Sequence, residues 1–363
     1  MKQREHSYYM RCALRLAQKA AGKTSPNPLV GAVVVKAGKI IASGYHKKAG
    51  EAHAEAHALS EAGSEARGAV LYVTLEPCAH HGRTPPCLDQ VLKSGVREVV
   101  VAMRDPDRRT NGRSIRMLRR RGITVTEGVC AEEAARMNEA FIKYSTTGLP
   151  FVTVKVGQSL DGKIATHNGN SKWITSEGAR SFSRRRRRLY DGIMVGVETL
   201  LKDNPGLDAE PTGRGPVKVI VDTQLRTPPD ARIFASKTHV IIATASCSVR
   251  SRAAFYGKAV LVTLPRKRGR IDLRRLLREL SRRNITSILV EGGGALIGSL
   301  FDERLVDKVS FYVSPRIIGG REAVGSVMGA GADCIAASAR LEQVTVRRLT
   351  GDILIEGRVC FPG

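Results

Sequence analysis

The stretch 51–87, EAHAEAHALSEAGSEARGAVLYVTLEPCAHHGRTPPC, gathers four histidines, two cysteines and a glutamate two residues beyond a histidine. Hydrolytic zinc takes three protein ligands and leaves a fourth position for water. His53, Cys78 and Cys87 offer one imidazole and two thiols, a donor set that favours zinc among divalent ions. Meeting at one ion restricts how the segment can fold. HAEAHALSEAG (53–63) reads as a helix that His53 opens and Gly63 stops. AVLYVTLEPC (69–78) reads as a strand ending in Pro-Cys, and Cys87 closes the loop that follows. A strand end and a helix start must therefore lie side by side. Glu55 then sits near the ion without binding it, placed to move a proton. His57, one turn beyond His53, is read as a solvated or packed side chain. Taken singly, the two cysteines are ordinary small buried residues and His53 an ordinary surface histidine. The combination carries the metal reading.

Around that segment the chain alternates helix and strand. YYMRCALRLAQKAA (8–21) has apolar residues at helical spacing. TSPNP (24–28) breaks it, and LVGAVVVKAGKIIASGYH (29–46) reads as two strands joined at Lys-Ala-Gly. LDQVLKSG (88–95) and SIRMLRRRG (114–122) read as helices; REVVVAM (97–103) and ITVTEGV (123–129) read as strands. At YSTTGLP (144–150) the pattern resets. A second set follows, with FVTVKVGQSLDG (151–162), VKVIVD (217–222), THVIIATA (238–245) and TSILVEGGGALIGSLF (286–301). A chain of 363 residues exceeds one typical core. Two α/β domains are expected, over residues 1–147 and 148–363, without a low-complexity linker or internal repeat.

The formal net charge is +25. Much of it lies in RDPDRRTNGRSIRMLRRRG (104–122), SRRRRRL (183–189) and PRKRGRIDLRRLLRELSRR (265–283). Such runs suit nucleic acid or phosphorylated small molecules. Aromatics make up 5% of the chain and do not interleave with the basic runs, which weighs against stacking on single strands. Most of these arginines are read as solvated helix faces, with no nucleic-acid partner expected; a nucleic-acid deaminase or binder ranks last. No run of eighteen apolar residues occurs, so no membrane partner is expected. MKQREHSYYM lacks the apolar core of a secretory signal. The seven cysteines, at 12, 78, 87, 130, 247, 334 and 360, follow no disulfide pattern. A reducing cytoplasm is the expected location.

H-x-E followed by P-C is the arrangement of zinc nucleobase deaminases, which usually continue C-x-x-C. Here AHHGRTPP separates the cysteines. TSPNPLVGAVVV, GYH-x₆-HAE and TLEPC-x-H-x-GRTPPC resemble the deaminase half of the bifunctional riboflavin-biosynthesis deaminase/reductase family, whose variant this long loop is. The resemblance covers nearly the whole chain. It implies a cytidine-deaminase-like α/β/α domain followed by a dihydrofolate-reductase-like α/β domain. It implies removal of an amine from a diaminopyrimidinone ribose phosphate, then reduction of the ribose to ribitol by NADPH. Carried over, His53, Cys78 and Cys87 hold one zinc and Glu55 shuttles protons. Asn27, His46, His80 and Arg83 contact the substrate, although an Asx turn would also explain Asn27. Association through the reductase domain, and hence a homo-oligomer, is also implied.

KVGQSLDGKIAT-x₄-SKWIT and VEGGGALIGS (290–299) resemble the reductase half. The cofactor positions carried over are Gly157, Trp173, Thr199, Asp203, Thr223 and the run Gly293, Gly294, Ala295, Leu296, Ile297, Gly298 and Ser299. Those for substrate are Ser171, Arg187, Leu207 and Glu291. The amides of a helix start after VEGGG suit a pyrophosphate. Trp173, the single tryptophan, offers a flat face, although a buried core position is the default for Trp. Asp161, in SLDG, is read as stabilising its turn, and no catalytic acid is assigned. Departures fall mainly here. In VGVETLLKDNPGLDAE (195–210), Glu198 stands where the family has glycine, and Glu210 where an arginine would bind the substrate phosphate. Losing such a charge-assisted pair costs a few kcal/mol, on the order of 2–3. Arg214 is a candidate to compensate. Arg108 and Ser114 replace Pro and Gly, and Arg185 and Arg186 replace leucines. A deaminase with an impaired or structural reductase half is therefore the second reading.

Overall fold

Valine-rich stretches punctuated by glycine build both sheets. The computed structural model describes residues 2–79, 86–211, 215–246 and 248–362. The candidates His80, Arg83 and Arg214, with Cys247, lie outside them. The chain divides at Gly148/Leu149 into two units.

The first unit runs α1 (Lys2–Gln18), β1 (Gly31–Lys36), β2 (Lys39–Tyr45), α2 (Ala54–Ala62), β3 (Val70–Val73), α3 (Cys87–Ser94), β4 (Glu98–Val101), α4 (Arg113–Arg120), β5 (Thr124–Glu127), α5 (Ala131–Met137) and α6 (Glu139–Thr147). The sheet order is β2-β1-β3-β4-β5. β1 runs antiparallel to both β2 and β3, while β3, β4 and β5 are parallel. Both faces are covered, so the strands read as continuous apolar runs. Ala32, Val34, Leu71 and Val99 pack with residues of α2, α3 and α4. Val33, Val35, Tyr72 and Val100 pack with residues of α1 and α5. The hairpin turns at Ala37 and Gly38, both at positive φ, as a two-residue turn with the sheet's twist requires. α2 presses on β2 at Gly44, where a Cβ would stand 2.5 Å from the Ala54 carbonyl oxygen. That contact fixes the start of α2. β3 is shorter than the sequence predicts: from Thr74 the chain leaves the sheet, held by Thr74 N to Gly31 O (3.0 Å) and Glu76 N to Met103 O (3.0 Å).

The second unit runs β6 (Phe151–Ser159), β7 (Lys163–Ala165), α7 (Glu177–Arg186), β8 (Gly192–Gly196), α8 (Val197–Asp203), β9 (Val217–Val221), β10 (Val240–Thr244), α9 (Val249–Ala254), β11 (Val260–Thr263), β12 (Arg266–Lys267), β13 (Arg270–Ile271), α10 (Leu273–Arg282), β14 (Ser287–Val290), α11 (Gly294–Asp302), β15 (Lys308–Ser314), β16 (Val324–Gly325), β17 (Arg340–Leu349) and β18 (Asp352–Cys360). Its main sheet has the order β11-β10-β9-β8-β14-β6-β15-β18-β17. The pairings are parallel from β11 to β15 and antiparallel at β18 and β17. α10 buries Leu273, Leu276, Leu277 and Leu280 against one face. Its arginines are solvated or half-buried, as expected of a charged helix face. Leu200, Ile233 and Phe255 cover the other face.

Candidate active sites

In the first unit, His53 is the extended N-cap residue of α2, with φ −77 and ψ 166. Cys87 is the first residue of α3, and Cys78 lies on the segment after β3. His53 Nδ1 stands 3.0 Å from Cys87 Sγ and 3.6 Å from Cys78 Sγ, and Cys87 N donates to Cys78 Sγ at 3.3 Å. The three ligand atoms lie within 4.8 Å of one another. Bonds of about 2.0–2.3 Å in a tetrahedron put ligand atoms roughly 3.5 Å apart, so this trio fits zinc. The hydrogen bond from Cys87 and the nearby His53 hold the Cys78 thiol down at about 4, against burial. Cys87 is pushed up by that same bond and by burial. Glu55 is buried below, and burial pushes its carboxyl up to about 7.

Glu76, in TLEPC, anchors the segment that carries Cys78. Its carboxylate accepts from the amides of Asp105 (3.3 Å), Gly112 (2.8 Å), Ser114 (3.1 Å) and Ile115 (3.4 Å), capping α4. Ser114 is buried, and its hydroxyl donates to Pro77 O at 2.6 Å. Arg108 is exposed. Asn27 faces a cavity of about 290 Å³ with His46, His53, Glu55 and Cys78. His46 Nδ1 donates to Ala52 O (3.1 Å), so its Nε2 accepts from Asn27 Nδ2 (3.0 Å). Burial lowers the His46 pKa and keeps the ring neutral. Both its nitrogens are thus engaged within the protein, and the side chain orients Asn27 while lining the same cavity. The loop of Asn27 is latched by Asn138, whose side chain bonds both Leu29 N (2.8 Å) and Leu29 O (3.0 Å).

Asp105, Asp107, Arg109 and Phe141 also line this cavity, and the sequence reading missed them. Asp107 holds Arg109 through Nη2 at 2.5 Å. Burial pushes the Asp105 carboxyl up to about 6. The stretch of Asp105, Asp107 and Arg109, RDPDRR, reads in sequence only as basic surface. His57 is half-buried and lies outside the cavity lining.

In the second unit, Glu291 follows β14, and its carboxylate meets Arg187 Nε and Nη2, both at 2.9 Å, and Lys155 Nζ at 3.6 Å. Burial alone would raise the Glu291 carboxyl; Arg187 and Lys155 instead hold it at about 2. Arg187 also donates to Asp208 O at 2.8 Å. Thr199 Oγ1 accepts from Gly293 N (3.0 Å), joining the start of α8 to the start of α11. Asp203 pairs with Lys172 at 3.4 Å. Thr223 O accepts from Ala245 N at 3.1 Å, Ser171 lies in the loop before Trp173, and Gly157 packs near Thr175.

Trp173 is 62% exposed, contrary to the buried default, and the Arg180 guanidinium lies 4.2 Å from its ring centroid. Leu207 and Ile297 turn their side chains into the core, so only their backbones can serve a ligand. Gly298 answers to packing: a Cβ there would sit 1.4 Å from Met328 O. The first-turn amides of α11, at Gly294 and Ala295, have no helical acceptor, and Leu296 leans on Gly196 and Gly292. Ser299 accepts from Arg270 Nη1 at 2.9 Å. Asp161 does stabilise its turn, accepting from Ser159 Oγ (2.6 Å), Ile318 N (3.0 Å) and Gly319 N (2.7 Å), bonds that hold its carboxyl at about 2.

Glu198, Glu210 and Arg186 each find an opposite charge within the second unit. Glu210 pairs with Arg184 and accepts from Ser181 Oγ at 3.2 Å; Arg184 also meets Glu177 at 2.6 Å. Arg186 pairs with Glu356 at 2.8 Å, and Arg185 donates to Ser181 Oγ at 2.7 Å. Glu198 pairs with Arg226.

Comparison with known proteins covers both units. Residues 3–103 match the cytidine and deoxycytidylate deaminase zinc-binding region, and residues 150–355 match the RibD C-terminal domain. The riboflavin biosynthesis protein RibD of Actinobacillus pleuropneumoniae is 41% identical over 359 residues, covering 98% of this chain and 95% of the relative. That of Aquifex aeolicus is 41% identical, covering 96% of each. The structure of Acinetobacter baumannii RibD superposes with TM-score 0.88 at 34% identity, covering 99% of both chains. A diaminohydroxyphosphoribosylaminopyrimidine deaminase/5-amino-6-(5-phosphoribosylamino)uracil reductase from Thermotoga maritima also gives 0.88, at 36% identity over 99% of this chain and 100% of the other.

Proposed function

The chain belongs to the RibD family of bifunctional riboflavin-biosynthesis deaminase/reductases, and on that premise we propose which of its residues carry the two reactions. Residues 1–147 form the zinc-dependent pyrimidine deaminase and residues 148–363 the NADPH-dependent reductase. The observation that carries the first assignment is the convergence of His53, Cys78 and Cys87 beside buried Glu55 in one cavity.

When bound there, zinc supplies a Lewis acid that makes a water nucleophilic at neutral pH. His53, Cys78 and Cys87 hold it. Glu55 takes the proton released as water attacks the amidine carbon of the pyrimidine, then gives a proton to the departing amine. Ammonia and a carbonyl result. Burial suits Glu55 to this shuttle, because a carboxyl raised towards neutrality both takes and gives a proton readily. Asn27 bonds the ring, and His46 fixes which face of the Asn27 amide is offered. His80 and Arg83 are assigned to substrate on resemblance alone.

In the second unit NADPH, when bound, supplies a hydride for the ribose carbon. The free first-turn amides of α11, at Gly294 and Ala295, would receive its phosphates, and Thr199, Asp203 and Thr223 are assigned to the same cofactor. Trp173 and Gly157 lie against the nicotinamide. Glu291 stays ionised and, with Arg187 and Lys155, offers a rigid acceptor and two cations to the sugar hydroxyls and phosphate. Ser171 and the Leu207 backbone complete that side. The substrate is a small phosphorylated pyrimidine.

The assembly is a homo-oligomer in this reading. Among the described residues β17 is an edge strand bonded only to β18 within the main sheet, and Val344 (51%) and Val346 (66%) stand exposed on it. Such an edge is a template for a second copy of the chain. A monomeric mass by light scattering would sink this part. For the chemistry, zinc removal by a chelator tests the division of labour. Ammonia release stops and returns with zinc, while NADPH binding persists throughout. Loss of both on chelation would contradict it.

A further inference from the structure

Lys218 is a fully buried cation that the two reactions leave unused. It is the second residue of β9, opposite Ile193 of β8 and Val240 of β10. A lysine is costly there, because an ammonium taken out of water must find its partners inside the protein. Alternation along β9 puts it on the face of Ile220, which packs with Leu207 and Ile233. Its Nζ donates to Ser236 Oγ (2.6 Å), Asp208 Oδ1 (2.8 Å) and Ile233 O (3.3 Å), so all three protons of the ammonium are engaged. Two of these acceptors are neutral, and Asp208 answers the charge. The lysine is fixed by the sheet on both sides. Asp208 is not: its side chain is 49% exposed, and residues 204–209 form neither helix nor strand. The pair therefore anchors a loop to a strand.

That loop turns tightly at the anchor. Leu207 has φ 58, a left-handed value uncommon for leucine, and a Cβ at Gly206 would stand 2.8 Å from Asp208 Oδ2. The Asp208 carbonyl accepts from Arg187 Nη1 at 2.8 Å, while Arg187 Nε and Nη2 meet Glu291. Three of the five guanidinium donors are engaged in this way, which leaves two to face a ligand. A guanidinium recognises its ligand through a planar fork, so its orientation matters as much as its charge. We propose that Lys218 is a positioning residue for the reduction: through Asp208 it fixes the turn at Leu207 and the carbonyl that orients Arg187 towards the substrate. The proposal rests on the reading that Arg187 and the Leu207 backbone contact the pyrimidine ribose phosphate.

The test is steady-state NADPH oxidation by the full chain on the deaminated pyrimidine ribose phosphate, with NADPH binding titrated alongside. Lys218→Met keeps the bulk of the stem and removes the charge, and half-exposed Asp208 is then free to turn to water. The KM for the pyrimidine rises about tenfold while kcat stays within about twofold, the pattern of lost substrate binding. The Kd of NADPH also stays within about twofold. Thr223, assigned to the cofactor, lies beyond the far end of β9 from Lys218. The double variant Lys218→Met/Asp208→Ala leaves no buried charge unpaired, and its KM equals that of Lys218→Met, since both changes break one path. A further rise in the double variant would mean that the lysine acts by another route, against the proposal. If KM, kcat and NADPH Kd all worsen together in Lys218→Met, the lysine serves folding alone and the proposal falls. Arg187→Ala separates the two levels. Should it leave KM unchanged, Arg187 is no substrate contact, and that reading fails together with the proposal. Should it raise KM while Lys218→Met does not, the reading stands and the proposal alone is overturned.

Discussion

The two sites are built on opposite principles. The deaminase site assembles rare side-chain types, an imidazole, two thiols and a buried carboxylate, from an N-cap, a segment leaving a strand and a helix start. The site proposed for the reductase uses helix-start amides, a glycine run and a half-buried ion triad around Glu291. A metal centre depends on residue identity, so its signature survives intact in the sequence. A nucleotide site depends largely on backbone placement, so side chains around it can drift if their charges are rematched. Glu198 with Arg226, and Glu210 with Arg184, are charges paired in this way.

Substitution should separate the two designs. The largest effect falls on Glu55→Gln. It keeps one zinc per chain by metal analysis, while the rate of ammonia release falls by about 10²–10⁴. Unchanged ammonia release would remove Glu55 from proton transfer. Glu291→Gln comes next. It strands Arg187 and Lys155 and destabilises the second unit by about 3–5 kcal/mol in denaturant unfolding, with NADPH oxidation falling in step. The same carboxyl gives a pH signature. It ionises at about 2 in the folded chain and near about 4.3 unfolded, so its stabilisation is complete above about pH 5 and disappears as pH falls through 2. A melting profile equally acid-sensitive in Glu291→Gln would show that another group dominates. The smallest effect belongs to Glu210→Gln. Its pair with Arg184 is partly exposed, so stability changes by less than about 1 kcal/mol. Freed of one carboxylate, Arg184 lowers the reductase KM by about two- to threefold. A rise in KM would mean that Glu210 holds Arg184 in place for the substrate.

The sequence made the metal centre legible because three ligand types and a glutamate rarely fall together around a strand end and a helix start. Alternation along the chain made the α/β order legible for the same physical reason, since buried parallel strands must be apolar on both faces. Other features were hidden. Asp105 and Asp107 join the cavity through the Glu76 cap, a contact that no spacing reveals, and their segment looks like basic surface. α5 and α6 are short and carry no strong apolar period, yet Asn138 at their junction latches the Asn27 loop. His46 lines the cavity, as its place in sequence suggests, but the hydrogen bond by which it orients Asn27 is not legible from spacing. Leu207 and Ile297 fall within ligand-contact stretches whose side chains alternate between site and core.

The central claim is that one chain performs both reactions. It is tested most directly by mass spectrometry of the product formed from the diaminopyrimidinone ribose phosphate with zinc and NADPH. The account predicts a product that has exchanged its amine for an oxygen and gained two hydrogens. A product that is deaminated only, accumulating at saturating NADPH, would contradict it.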